Sequence, residues 1–141
     1  FIVYGVRRKF FSNLDMSKRE ERFLFYPFLI ATLIAFTTTT IVLNAPPLLK
    51  ATGVFLIPTI FIFELINKRI KGSIHTASVA AATVGFAVYY GGVFYALLLL
   101  IPLVIWSRVV TNKHSFRETI VGGVYGSALA ILGVYIVQFF R

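Results

Sequence analysis

The chain contains no cysteine. That excludes a disulfide framework and a thiolate nucleophile, and leaves the redox compartment unreadable. Charge is also scarce, at 13% of residues against about 25% in a soluble domain. So few polar groups cannot cover a water-facing surface. Acids are rarest, with five Asp and Glu against fourteen Lys and Arg. Histidine occurs only at positions 75 and 114. A Gly-rich phosphate loop, a nucleophile elbow and a dinucleotide fingerprint are all absent. So are internal repeats, low-complexity tracts and nucleic-acid motifs. The N-terminal apolar stretch is too short for a secretory signal and has no cleavage site.

What remains is apolar. Hydrophobic residues make up 58% of the 141, and mean hydropathy is +0.86. A spanning helix needs about 20 mostly apolar residues. Five apolar runs are read as spans, roughly Phe23 to Leu43, Leu48 to Ile66, Ser73 to Tyr90, the shorter Val93 to Trp106, and Thr119 to Phe140. They are continuous rather than alternating, which favours helices over a barrel. The expected fold is therefore an all-α membrane protein with five transmembrane helices. Residues 1–22 read as a basic interfacial segment and 23–141 as the transmembrane helical domain. Within the segment, Asp15 to Arg22 reads as a polar interfacial helix. Pro58 is expected to kink the second run. Thr37 to Thr40 are expected to hydrogen-bond to their own helix. Gly91-Gly92 reads as a tight turn. The third run is rich in Ala and Ser, and the fifth has Gly122 and Gly126 four apart, so these two are expected to pack closely. The chain begins at Phe1, and a further helix upstream is expected.

The +9 net charge points to anionic lipid headgroups or a topology signal before nucleic acid. With two spans between successive basic loops, twelve of the fourteen Lys and Arg fall on one side. Lys50 and Arg141 fall on the other. The positive-inside rule places the rich side in the cytoplasm.

Both histidines sit in basic clusters on that side. The first is Lys68-Arg69-Ile70-Lys71-Gly72-Ser73-Ile74-His75, and the second runs from Ser107 to Glu118. The third and fourth runs form a hairpin that can bring His75 beside His114. Glu118 lies four residues after His114, one helical turn on, so the two share a face. An acid there can fix one imidazole nitrogen as a donor and leave the other to attack. Arg108 offers a bidentate fork for phosphate oxygens and Lys71 a point charge. Ser73 offers a hydroxyl, and the start of the third helix offers unpaired N–H groups and a positive dipole end. No metal site is evident, because the intervening Lys and Arg repel a cation. No cofactor is implied. The bland alternatives are that basic flanks anchor helices and that Glu64 pairs with Lys68 one turn on.

Ser107-Arg108, five residues, His114, three residues and Glu118 resemble the third motif of the type 2 phosphatidic acid phosphatase superfamily, Ser-Arg-(five)-His-(three)-Asp. Lys71-Gly72-Ser73-Ile74-His75 resembles its second motif in a Lys-x-Ser-x-His variant branch. The resemblance implies a six-helix core with the first helix missing or truncated. It implies that His114 is the nucleophile, forming a phosphohistidine, with Glu118 orienting it. His75 would protonate the leaving alkoxide, and Lys71, Ser73 and Arg108 would hold phosphoryl oxygens, without metal. Three departures stand out. The first family motif is absent, Ile74 replaces a Gly, and Glu118 replaces an Asp.

The expected function is hydrolysis of a lipid-linked phosphate, of the phosphatidate or polyprenyl phosphate or diphosphate type, at the cytoplasmic face. Expected partners are the lipid substrate and membrane lipids, with no nucleic acid and the oligomeric state unread. The rival is a catalytically inactive lipid-phosphate-binding or scaffold protein. A small transporter is disfavoured, because the ionisable residues gather at the surface and not at mid-bilayer.

Overall fold

The computed structural model describes residues 2–10 and 19–139, and all regular structure among them is helical. The elements are α1 (Ile2–Arg7), α2 (Arg19–Val42), α3 (Pro47–Arg69), α4 (Ile74–Tyr90), a 3₁₀ helix (Gly92–Leu99), α5 (Leu100–Val110) and α6 (Phe116–Phe139). Four stretches are long and apolar enough to cross a membrane: Phe25–Val42, Leu49–Arg69, Gly92–Val110 and Phe116–Gln138. α4 is shorter, at 17 residues, or roughly 26 Å at 1.5 Å per residue. This is an all-α integral membrane protein. Of the expected interfacial helix from Asp15 to Arg22, residues 15–18 lie outside the described residues, and residues 19–22 are the start of α2.

The chain divides into two compact units, residues 1–64 and 65–141. In the first, α2 ends where Asn44 adopts a left-handed φ of 49°. Lys50 Nζ donates to Asn44 Oδ1 at 2.8 Å. Pro47 then opens α3, a position where its missing N–H costs nothing. The threonines behave as their composition suggests. Thr37 Oγ1 donates to Leu33 O at 2.7 Å and Thr40 Oγ1 to Thr37 O at 2.8 Å. Gly53 of α3 lies against Thr37, so close that a Cβ there would collide with Oγ1 and approach Cβ to 3.1 Å. α3 continues through Pro58 as one helix, and Thr59 Oγ1 donates to Leu56 O beside it at 2.8 Å.

The second unit is built on α4 and α6. On α4 the buried residues are Thr76, Ala80, Thr83 and Ala87, spaced four, three and four apart as one helical stripe. On α6 the buried face includes Thr119, Gly122, Gly123 and Gly126. A Cβ on Gly126 would strike the backbone of Ala77, 2.8 Å from its carbonyl carbon and 2.9 Å from its Cα. The small-residue packing expected between these runs is therefore a backbone-to-backbone approach. In a membrane such contact substitutes for the hydrophobic drive that lipid cannot provide.

Gly91 and Gly92 both adopt left-handed φ, 66° and 55°, and form the expected turn. The fourth run differs from a simple α-helix. Phe94 N–H donates to Gly91 O at 3.1 Å, an i→i−3 bond set by the glycine turn, and the tighter ladder persists to Leu99. A 3₁₀ helix rises about 2.0 Å per residue. The composite Gly92–Val110 therefore spans roughly 32 Å, close to a hydrocarbon core of about 30 Å.

Candidate active site

Two loops of the second unit carry the chemistry-bearing residues. The first follows α3. Lys71 is half-buried and Gly72 buried, with Gly72 N–H turning back to Ile70 O at 2.7 Å. Ser73 is the N-cap of α4, its Oγ accepting from Thr76 N–H at 3.3 Å. Its side chain is fully enclosed. His75 lies in the first turn of α4 and is exposed. The next residue, Thr76, is fully buried, and its Oγ1 has no hydrogen-bond partner. Four residues before it stands Gly72, ahead of the helix, so the usual i−4 carbonyl is missing.

The second loop joins α5 to α6 and consists of two capping motifs with one residue between them. At the end of α5, Lys113 N–H donates to Arg108 O at 3.1 Å and Asn112 N–H to Val109 O at 3.0 Å. Asn112 has a left-handed φ of 53°. This is a Schellman motif with Asn where glycine is commonest. At the start of α6, Ser115 Oγ accepts from Glu118 N–H at 3.3 Å, and Glu118 Oε2 accepts from Ser115 N–H at 3.2 Å. These reciprocal bonds are a capping box. His114 is the residue between the motifs. Its N–H donates to Arg108 O at 3.2 Å.

His114 Nδ1 lies 2.9 Å from Glu118 Oε2, with the two side chains only 8% and 23% exposed. The expected contact forms, but not for the expected reason. His114 precedes α6, which starts at Phe116, so the pair does not share a helix face. Glu118 reaches back through the capping box. A carboxylate only accepts, so Nδ1 carries the hydrogen, and in the neutral ring Nε2 then holds the lone pair. Such an arrangement suits an imidazole that attacks an electrophile.

The two loops are joined by one backbone bond, Ser73 N–H to Glu118 O at 3.1 Å. Gly122 supports that junction. A Cβ there would collide with Ser73 O and come within 3.2 Å of Ser73 C and N. Arg108 ends α5 half-buried. Lys71, Ser73 and His75 thus belong to one side of this junction, and Arg108, His114 and Glu118 to the other. Among the described residues no three His, Cys, Asp or Glu side chains group as a metal site. Sequence reasoning missed Ser115 and Asn112. The signal for Ser115 was present, since Ser-x-x-Glu before an apolar run marks a capping box.

The family model of the PAP2 superfamily matches residues 51–141, a stretch that includes all six of these residues. The chain belongs to the PAP2 superfamily. PAP2 phosphatases act on phosphorylated substrates and sit in membranes, in keeping with the apolar helices found here. No curated protein and no solved structure matches the chain.

Proposed function

We propose that this PAP2 protein is a metal-independent phosphatase of lipid-linked phosphates, working through a phosphohistidine at the cytoplasmic face. The observation that carries the reading is the 2.9 Å contact between His114 Nδ1 and Glu118 Oε2. It leaves Nε2 as the nucleophile. In the first step Nε2 attacks phosphorus, and the bond to the lipid oxygen breaks. His75 gives its proton to the departing alkoxide. In the second step water attacks phosphorus, the P–N bond breaks, His75 takes the water proton, and inorganic phosphate leaves. Arg108 and Lys71 neutralise the phosphoryl oxygens, where most of the barrier lowering in such a transfer arises. Ser73 contributes by capping α4, which fixes where His75 leaves the helix. The cytoplasmic assignment rests on the twelve-to-two distribution of basic residues.

The deciding experiment measures inorganic phosphate released from phosphatidate, polyprenyl phosphate and polyprenyl diphosphate in detergent, by the wild type and by His114→Ala. Release by the wild type alone is expected. Binding of lipid phosphate without release by either protein favours the non-catalytic binder.

A further inference from the structure

Glu118 is the only acidic residue between position 65 and the end of the chain, where seven Lys and Arg occur. Its Oε2 serves two donors, His114 Nδ1 at 2.9 Å and Ser115 N–H at 3.2 Å. Its own backbone N–H is held by Ser115 Oγ at 3.3 Å. Four of the five groups in this cycle thus lie on Ser115 and Glu118, and the fifth is the imidazole. His114 stands outside α6, so no helical geometry aims the carboxylate at it. The capping box does so instead. A Glu three residues after the cap can reach back to the cap N–H. An Asp is one methylene shorter. The longer acid at 118 and the serine at 115 therefore form one unit.

We propose that Ser115 is a positioning residue of the active site. Its hydroxyl fixes the backbone of Glu118, and the capping box then sets Oε2 against Nδ1. That selects the tautomer of His114 and aims Nε2. The catalytic consequence rests on the reading of His114 as nucleophile; the geometric one does not.

The test combines kinetics with nitrogen-15 NMR of the imidazoles in the purified, detergent-solubilised full chain. With two histidines in the chain, His75→Gln assigns the spectrum. The wild type should show His114 protonated on Nδ1, and Ser115→Ala should show mixed tautomers. A wild-type His114 protonated on Nε2 overturns the proposal, whether or not the protein turns over. In kinetics, Ser115→Ala should lower kcat about tenfold, the scale of one hydrogen bond, with KM within about twofold. Ser115→Thr, which still caps, should restore kcat. In a Glu118→Ala background, Ser115→Ala should change kcat by less than about twofold, because the residue acts through the carboxylate. A tenfold loss in both backgrounds overturns the proposal and assigns Ser115 to helix stability. If the wild type releases no phosphate, the functional reading fails, while the NMR result still decides the positioning.

Discussion

The backbone N–H of Ser73 donates to the carbonyl of Glu118 across 3.1 Å. This bond ties the first turn of α4 to the first turn of α6. It fixes the loop bearing His75 relative to the loop bearing His114 without using either side chain. The approach it needs is possible because α6 presents Gly122 at the point of contact.

Gly122→Ala should therefore disturb the site as well as the fold. The added Cβ would meet Ser73 O and backbone atoms, which cannot swing aside as a flexible side chain would. Overpacking of this kind costs about 1–3 kcal/mol. Thermal unfolding in detergent should fall by several degrees, and the residual folded protein should turn over more slowly. Gly126→Leu, against Ala77, should destabilise more, since it forces the helices apart along the same seam. Unchanged unfolding temperatures for both variants would contradict the backbone-to-backbone packing.

Much of this was legible in the sequence because the bilayer constrains a chain so strongly. Long apolar runs had to be helices, and small residues in the third and fifth runs had to meet. The motif spacing from Ser107 to Glu118 pointed to His114 and Glu118, whose side chains meet at 2.9 Å. The local devices were harder to read. A two-way role for Glu118 depends on where α6 begins, and boundaries follow from caps rather than from hydropathy. The 3₁₀ stretch after Gly92 was hidden because Val93 to Leu99 has the composition of any apolar helix. Gly53 carries no signal within its apolar run, and its role follows from its position opposite Thr37.

The two histidines should separate by leaving group. His114→Ala should abolish turnover on every substrate, since no nucleophile remains. His75→Ala should lose about 10²-fold or more on an alkyl phosphate, the ordinary range for general acid catalysis. On a nitrophenyl ester the loss should be much smaller, because that group leaves without protonation. Steady-state rates on both substrates test this, and equal losses for both variants on both esters would remove the assigned roles.

Orientation can be read by labelling, because the chain offers a cysteine-free background. Lys113 lies in the loop before α6, and Val93 is exposed at the far turn after α4. Lys113→Cys should react in intact cells only with a membrane-permeant maleimide. Val93→Cys should react with an impermeant reagent added outside. Labelling of the Lys113 position by the impermeant reagent would invert the topology and place the site outside the cytoplasm.

Substrate preference follows from where the site lies along the helices. His75 lies in the first turn of α4, and His114 and Glu118 flank the start of α6, so on the proposed reading the reacting phosphorus would sit at headgroup level. An acyl or prenyl chain attached to it can then remain in the bilayer. Each methylene kept there is worth about 0.8 kcal/mol. A water-soluble ester gains none of this and must be held by Lys71 and Arg108 alone. Relative kcat/KM should therefore favour long-chain lipid phosphates over soluble esters by orders of magnitude, with most of the difference in KM. Vanadate or tungstate should compete with both classes by binding the cations proposed to hold the phosphoryl group, Lys71 and Arg108, and a chelator should leave both rates unchanged. A preference for short soluble esters, or turnover that depends on added divalent metal, would exclude the lipid phosphatase reading.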